Sequence, residues 1–506
     1  MKTATYYEST PGRPETPAGA AARGRLPAVL RPAAVLAGGV AVAIMAAVTL
    51  NVSPGGLSTD AAVTLCIFVA AVWFWIFSAV EDTYVALGAA VALVISGAMP
   101  TQSLFDALGE ETVWLLMAAF VIAGAVASTG LAARGAAFVI TGARNVRQLA
   151  HLTTLGLIVT CFAIPATSGR AALVLPIFLA LRAALKDRPA VVKMLAILFP
   201  GVILLSAVGS FLGAGAHLIT SQVLQSAGYE GFDFASWLLL GLPIALVSSF
   251  LAAELTLRLF TSRSDRSLPL HVDISQLQRG STTRLGGPLD LDEQRSLLLL
   301  AAVVALWCTE PIHGLEPALV ALVGALVVSS PCYGSVKLGA ALKKVPWSML
   351  IFMAATLALG SSLVTSGAAA WLASAVLAPV AVLGAWKAPI FVVAVVVISA
   401  AAHLVIQSRS ARSAVLIPVV VASAGAMGVE PMAAAFASTA AAGFCHTLTS
   451  SAKPVAMFAQ TDGVAHFSPA DLLRLSAWLG PLSTAVVLVF SFAVWPVLGL
   501  PLFTSR

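Results

Sequence analysis

The chain has 506 residues, of which 59% are hydrophobic and only 10% are charged. A soluble domain carries about 25% charged residues, so a chain this poor in charge cannot cover itself with a polar surface. The composition excludes a soluble globular protein and predicts an all-α polytopic membrane protein. The net charge of +6 does not require a nucleic-acid partner, since it reflects a surplus of Lys and Arg whose place in the loops matters more.

The chain begins with a polar segment, residues 1–27, which is predicted to be a disordered cytoplasmic tail. Apolar runs of the roughly 20 residues that a membrane helix needs follow it. About eleven spans of the plasma (inner) membrane are predicted, near 33–50, 61–80, 83–99, 112–130, 196–226, 235–257, 296–309, 315–331, 347–366, 430–460 and 473–500.

The first half of the chain, residues 28–260, contains two irregular elements. The apolar stretch 152–186 is too long for one span and too interrupted by polar residues for two, so we predict a re-entrant helical hairpin. The span 196–226 carries small and polar residues near its middle, GSFLGAGAHLIT (209–220), and is predicted to be a broken helix.

A polar linker, residues 261–295, separates the halves and is predicted to lie in the cytoplasm. The second half, residues 296–506, repeats the order of the first, with a hairpin at 389–425 and a broken helix at 430–460.

The distribution of Lys and Arg predicts the orientation, because these residues concentrate in cytoplasmic loops. Basic residues cluster in the tail and at 134–147, 182–193, 261–295 and 337–344, whereas the loops between these clusters have none at 51–60, 99–111, 226–234 and 310–314. This alternation predicts a cytoplasmic N-terminus. It also makes the two hairpins enter the membrane from opposite sides.

The two hairpins carry nearly the same sequence. SGRAALVLP (168–176) aligns with SARSAVLIP (410–418) at an offset of 242 residues, which pairs Arg170 with Arg412. Inverted repeats with broken helices are typical of secondary transporters, whose substrate site lies near the membrane midplane. Non-helical backbone at that depth must line an enclosed or water-filled cavity. The hairpin tips and the helix breaks are therefore the predicted site.

With these tips and breaks, residues 30–500 resemble the divalent anion:sodium symporter family of the ion transporter superfamily. The resemblance implies transport of dicarboxylates, tricarboxylates or sulfate, a homodimer, and an elevator movement of the hairpins and broken helices as one body. In that family the tips carry Ser-Asn-Thr and the breaks a Gly-Thr-Pro-Pro-Asn-like stretch. Tips and breaks together hold sodium and the carboxylates of the substrate.

The sequence departs from this family pattern at the tips, which read Ala-Thr-Ser at 166–168 and Ser-Arg-Ser at 408–410, each followed two residues later by Arg. A guanidinium has five N–H donors and no acceptor. Two like unit charges 4 Å apart repel by about 4 kcal/mol at an effective dielectric of 20, so arginine here weakens sodium binding. Arginine binds carboxylate or sulfate through paired hydrogen bonds. We therefore expect anion exchange or proton coupling, with a sodium-coupled anion symporter and a cation- or arsenite-type carrier as alternatives.

The predicted substrate-binding residues all lie at a tip or a break: Thr167, Ser168, Arg170, His217, Ser408, Arg409, Ser410, Arg412, Ser450, Ser451 and Lys453. For a sodium ion, the candidate positions lie near Ser168, Gly213, Ser410 and Thr449. The structural alternative for the arginines is pairing with backbone carbonyls at the turn or extension to water. For Lys453 the alternative is capping a helix C-terminus.

The sequence has no catalytic constellation and no metal-ligand spacing, so we predict a transporter and not an enzyme, with Na⁺ or H⁺ as the coupling ion and no other cofactor. Glu254 and Arg258, four residues apart, are predicted to form a local helix ion pair near the cytoplasmic end. The predicted partners are a small anion, the bilayer and a second copy of the chain. The sequence leaves open which anion is carried, the coupling mode and the direction of transport.

Overall fold

The computed structural model describes residues 57–504, except 79, 271–273, 280–283, 378–380 and 462. The predicted tail 1–27 and the predicted span 33–50 lie outside these residues. The secondary structure described is almost entirely helical, and ten helices are long and apolar enough to cross a membrane. These findings confirm the all-α polytopic class. The ten include the arms of both predicted hairpins, and two further apolar helices are shorter than a full span.

The described part of the first half consists of ten helices. They are α1 Thr59–Phe77, α2 Asp82–Ile95, α3 Thr101–Gly109, α4 Glu111–Thr129, α5 Leu131–Thr141, α6 Val146–Ala163, α7 Thr167–Ala184, α8 Pro189–Leu205, α9 Gly215–Ser226 and α10 Phe234–Phe260. Two 3₁₀ turns, Ser206–Gly209 and Phe211–Gly213, separate α8 from α9 and form the first break. The linker contains two short helices, α11 Arg263–Ser267 and α12 Ile274–Arg279.

The second half has a similar succession of elements, with one additional short helix, α14, and a pair of short strands. Its helices are α13 Leu291–Cys308, α14 Glu310–His313, α15 Pro317–Val328, α16 Leu338–Leu342, α17 Trp347–Thr365, α18 Ala368–Leu377, α19 Lys387–Ala401, α20 Arg409–Met427, α21 Pro431–Ala441, α22 Lys453–Ala459 and α23 Pro469–Val489. Shorter turns are Ala381–Trp386, Ala402–Leu404, Thr449–Ser451 and Phe490–Val494. The strands β1 Gln460–Thr461 and β2 Val464–Ala465 pair antiparallel, with Gln460 opposite Ala465.

The first predicted hairpin corresponds to α6 and α7, joined at residues 164–166. Ala166 at this turn has a φ of 72°, the one positive φ outside glycine in the part of the chain that the structure describes. Such a backbone conformation costs of order 1–3 kcal/mol in a residue with a Cβ. Both arms pack against α8. The second hairpin corresponds to α19 and α20, and Ser408 caps α20 by accepting a hydrogen bond from the Ala411 N–H.

The two halves interlock at the hairpins. The helix α20 of the second hairpin packs against α9, which follows the first break, and α7 of the first hairpin packs against α22, which follows the second break. Each hairpin therefore rests on the broken helix of the other half. This arrangement brings tips and breaks from both repeats into one region of the protein.

A buried ion pair also joins the halves. Arg134 on α5 donates through Nη1 to both carboxylate oxygens of Glu293 on α13, at 3.0 and 2.8 Å. The two side chains are 9% and 3% exposed. Removal of one partner from such a pair leaves an uncompensated buried charge, which costs about 3–5 kcal/mol. The pair thus holds the start of α13 against α5.

Candidate functional site

The tip of the second hairpin touches both breaks. Arg409 donates from Nη1 to the carbonyl oxygen of Leu204, at the end of α8, over 3.4 Å. A Cβ added to Gly443, in the second break, would lie 3.0 Å from Arg409 Nη2. A Cβ added to Gly215, at the start of α9, would lie 3.2 Å from the Ser410 hydroxyl. The candidate site is the region where these three segments meet.

Glycine makes the first break possible. A Cβ at Gly213 would collide with the carbonyl oxygen of Ala207, and a Cβ at Gly241 on α10 would collide with that of Val208. The backbone of the break therefore folds closely on itself and on α10, as only glycine permits. Because the chain leaves the helix here, α9 begins anew at Gly215 and places a helix N-terminus at the site. The tips likewise start α7 and α20, and helix N-termini favour negative charge.

Arg170 at the first tip is hydrogen-bonded to the protein through all three of its nitrogen atoms. Its side chain is fully buried, and its guanidinium donates to four oxygens. The acceptors are the Thr160 hydroxyl at 3.1 Å, the Ile203 carbonyl at 3.0 Å, the Leu157 carbonyl at 2.7 Å and the Ser206 hydroxyl at 2.8 Å. This is the structural alternative considered for the arginines: Arg170 pairs with backbone carbonyls and hydroxyls at the turn and at the first break.

Arg412, at the equivalent position of the second repeat, lacks such hydrogen-bond partners among the described residues. Its side chain is also fully buried. Its Nε, Nη1 and Nη2 atoms have no hydrogen-bond partner within the described part of the chain. A buried donor without a partner costs about 1–3 kcal/mol, and more when it is charged. The repeat therefore places one satisfied and one unsatisfied guanidinium at matching positions.

The positive charges of the site lie close enough to influence one another. Arg409 is within electrostatic reach of Arg170 and Arg412. Its Nε and Nη2 atoms are buried without a hydrogen-bond partner among the described residues. Neither Arg409 nor Arg412 forms an ion pair with a carboxylate in the described ranges. The site thus presents unpaired donors and uncompensated positive charge, which is the chemistry that recognises an anion.

Three buried histidines border the breaks. His217 on α9 is hydrogen-bonded through Nδ1 to the Ser210 carbonyl at 3.0 Å. Its ring stacks on Trp237 with ring centroids 4.8 Å apart. Its Nε2 is buried without a hydrogen-bond partner among the described residues. His446 contacts the Gly201 carbonyl through Nε2 at 3.3 Å. His403 contacts the Thr447 hydroxyl through Nε2 at 2.8 Å.

The other predicted site residues make local contacts. Thr167 and Ser168 are half-buried in the first turn of α7, and Ser450 is half-buried beside Ser451, whose hydroxyl accepts from the Leu448 N–H. Lys453 is exposed and begins α22, so the predicted alternative of a helix C-terminal cap is wrong. Lysine at a helix N-terminus is electrostatically unfavourable, because that end already carries partial positive charge.

The candidate sodium positions are distributed over tips and breaks. Gly213 lies against the Ala207 carbonyl, Ser410 lies beside Gly215, and Thr449 begins the turn before α22. Ser168 lies in the first turn of α7, two residues before Arg170. No cluster of three His, Cys, Asp or Glu residues that could hold a metal ion occurs within the described ranges.

The partners of Arg170 were not predicted from the sequence. Two of them are backbone carbonyls, which every residue type offers, and the other two are the common hydroxyls Thr160 and Ser206. The hydrogen bond of 2.6 Å between Thr220 on α9 and Thr439 on α21 was also missed. It joins the two halves next to the site, and no spacing rule connects residues so far apart in the chain.

The sequence matches one protein-family model over nearly its whole length. The model describes the transmembrane region of sodium:sulfate symporters and matches residues 34–501. Two curated relatives are each 24% identical to this chain. One is a membrane protein of Cupriavidus necator, aligned over 91% of this chain and 92% of its own length. The other is a sodium-dependent dicarboxylate transporter of Staphylococcus saprophyticus, aligned over 88% and 89%.

The fold is similar to that of a solved transporter. The crystal structure of the YdaH transporter of Alcanivorax borkumensis superposes with a TM-score of 0.53 at 16% sequence identity, covering 82% of this chain and 91% of that one. At this identity the likeness supports the shared fold alone.

Proposed function

Since the chain belongs to the sodium:sulfate symporter family, a family of membrane transporters and not of enzymes, we propose that it is a secondary transporter of small divalent anions. The substrate class is a dicarboxylate or sulfate. Family membership supports the choice of sulfate, and the name of the relative from Staphylococcus saprophyticus supports a dicarboxylate. Two neighbouring guanidinium groups suit two negative charges.

Arg412 is the observation that carries the anion-binding role. All three nitrogen atoms of this guanidinium are buried without an acceptor among the described residues, which is too costly to keep unless a ligand supplies acceptors. Arg409 is three residues earlier on the same helix, so the two side chains emerge from neighbouring positions of one surface. In our proposal the anion binds between Arg409 and Arg412, near the N-terminus of α20, with the N-terminus of α9 and Ser410 alongside.

Arg170 plays a different part in this proposal. Sodium in broken-helix transporters is coordinated by oxygens, many of them carbonyls of unwound backbone. The four oxygens around Arg170 are two backbone carbonyls, one of them in the last turn of α8, and two hydroxyls, and its guanidinium occupies them as a permanent cation. We assign Arg170 as a built-in replacement for a sodium ion and not as a direct contact of the substrate. Transport then proceeds by anion exchange or with proton coupling, for which His217 and His446 are the titratable groups at the breaks.

A sodium-coupled symporter is the second candidate. The relative from Staphylococcus saprophyticus is named as sodium-dependent. The Ser410 hydroxyl beside Gly215 and the half-buried Thr449 offer oxygens away from Arg170. In this version sodium binds near the second tip or the second break only.

We further propose an elevator mechanism in a homodimer, with the N-terminus in the cytoplasm and the protein in the plasma (inner) membrane. The family likeness supports the mechanism and the dimer. The orientation is supported by hydrogen bonds that hold three basic loops together at one end of the protein. The Leu270 N–H of the linker donates to the Arg144 carbonyl at 2.9 Å, and Arg188 donates to the Pro269 carbonyl of the linker at 2.9 Å. Basic loops on one side of the membrane are expected on the cytoplasmic side.

The experiment that tests the proposal is uptake into proteoliposomes of labelled succinate and labelled sulfate. Each is measured with and without sodium, with and without a pH gradient, and with and without unlabelled anion trapped inside. Arg412→Gln and Arg409→Gln are compared with Arg263→Gln, an exposed arginine of the linker. We expect uptake that ignores sodium, depends on internal anion or on the pH gradient, and is lost in both tip variants but kept in Arg263→Gln.

Two results would overturn parts of the proposal. Uptake that requires a sodium gradient would replace exchange by symport and leave Arg170 without its assigned role. Uptake by Arg412→Gln at the wild-type rate would show that Arg412 does not bind the substrate.

A further inference from the structure

We propose that an anionic phospholipid binds at the N-terminal end of α6, in a pocket away from the transport site. The pocket is open, has a volume of about 520 Å³ and lies where α5 ends and α6 begins. Its lining residues are Gly142, Asn145, Arg147, Gln148, His151 and Leu152. None of these described lining residues is acidic, and the proposed transport function assigns them no role.

The polar side chains of the pocket present donors. Arg147 uses Nε for its ion pair with Glu254, at 2.7 Å, and its side chain is 62% exposed, so its terminal amino groups face solvent. The amide oxygen of Gln148 accepts from the Arg144 N–H at 2.9 Å, and that of Asn145 accepts from the Gln148 N–H at 2.8 Å. Because both amide oxygens are occupied by backbone, each amide offers its NH₂ group to a ligand. A phosphate group, which only accepts hydrogen bonds, complements this set.

Glu254 does not neutralise the pocket. One of its oxygens accepts from Arg147 and from His151, the latter at 2.8 Å, and the other pairs with Arg258 at 3.4 Å, which confirms the predicted ion pair of Glu254 with Arg258. Two arginines therefore share one carboxylate, and Arg144 adds a further exposed cation next to the pocket. The excess positive charge favours an anion over a zwitterion.

An apolar surface continues from the pocket along α6. Leu152, Leu155 and Val159 follow Gln148 at intervals of four, three and four residues, which places them on one face of the helix. Leu155 is 41% exposed and Val159 is 59% exposed. A ligand with a phosphate at one end and a hydrocarbon chain at the other matches a basic pocket that opens onto an apolar stripe. Basic pockets between membrane helices are known to bind lipid headgroups.

The test is the thermal stability of the purified full-length protein in detergent, with added phosphatidylglycerol or phosphatidylcholine, or with soluble glycerol phosphate or inorganic phosphate. We expect phosphatidylglycerol to raise the Tm and phosphatidylcholine to have a smaller effect. Arg147→Gln should weaken the apparent affinity for phosphatidylglycerol about five-fold, as expected for one basic residue near a charged surface. Arg147→Lys should retain most of the affinity, and Arg263→Gln, outside the pocket, should equal the wild type.

Native mass spectrometry of the wild type with equimolar mixtures of the two lipids gives a second readout that needs no variant. Preferential retention of phosphatidylglycerol supports the proposal, and equal retention of both lipids would overturn it. Glycerol phosphate or inorganic phosphate could instead raise the Tm as much as the lipid does, in a way that depends on Arg147. That result would show that the pocket binds a soluble phosphate and would overturn the assignment to a lipid. Unchanged lipid affinity in Arg147→Gln would also overturn it.

Discussion

Replacement of Arg170 tests the proposal that its guanidinium replaces a sodium ion. In Arg170→Met the four hydrogen bonds of the guanidinium are lost, but some of their acceptors keep another hydrogen bond. The Leu157 carbonyl keeps its bond from the Thr160 hydroxyl at 2.6 Å, and the Ser206 hydroxyl keeps its bond to the Val202 carbonyl at 2.6 Å. The Ile203 carbonyl, at the end of α8, depends on Arg170 most. A hydrogen bond to a charged group contributes about 1.5–3 kcal/mol, so we expect a loss near 3 kcal/mol and not the sum of four bonds.

Arg412→Met is the matched control for this prediction. The two arginines occupy equivalent positions of the repeat and are equally buried, but only Arg170 has acceptors among the described residues. The same substitution should therefore lower the Tm by several degrees at position 170. At position 412, without substrate, it should leave the Tm unchanged or raise it, because an uncompensated buried charge is removed. Thermal unfolding of both variants in sodium-free buffer measures the difference.

A smaller side chain extends the test to sodium. Arg170→Ser vacates the space of the guanidinium and leaves the oxygens of Leu157, Thr160, Ile203 and Ser206 around it. If this is a cation position, sodium should stabilise the variant relative to choline, by about 1.4 kcal/mol at a tenfold excess over its Kd. The wild type should not respond. Equal responses of both proteins to sodium, or full stability of Arg170→Met, would refute the assignment of Arg170.

Three further changes follow from the structure. In Arg412→Gln, the rise in Tm on adding succinate or sulfate should disappear, while the Arg263→Gln control keeps it. In Glu293→Ala, the buried Arg134 loses its partner, and we expect a loss of about 3–5 kcal/mol in denaturant unfolding, part of which the added change Arg134→Met restores. In Ala166→Gly, relief of the positive φ at the first tip should raise stability by about 1 kcal/mol, and a lower Tm would show that the turn is not strained.

The repeat, the tips and the breaks were accessible from the sequence because each has a local signature. The paired motifs at 168–176 and 410–418, the glycines of the first break and the position of the linker require no knowledge of neighbouring helices. The different states of Arg170 and Arg412 were not accessible. Their motifs are nearly the same, and what separates them is the presence of carbonyl and hydroxyl oxygens on α6 and α8, which only the packing reveals. The alternative of Lys453 as a helix C-terminal cap was wrong for a related reason, since the end of a break cannot be told from its beginning by composition.

The interlocking of the hairpins has a consequence for how the protein is made. The helix α7 rests on α22, which lies about 270 residues later in the chain. At a synthesis rate of about 5–20 residues per second, α7 waits roughly 15–55 s for that partner. The acceptors of Arg170, in contrast, all lie within 36 residues of it, so they emerge from the ribosome almost together. Arg170 can therefore hold the first tip and the first break in shape while the membrane insertion machinery is still handling the second half.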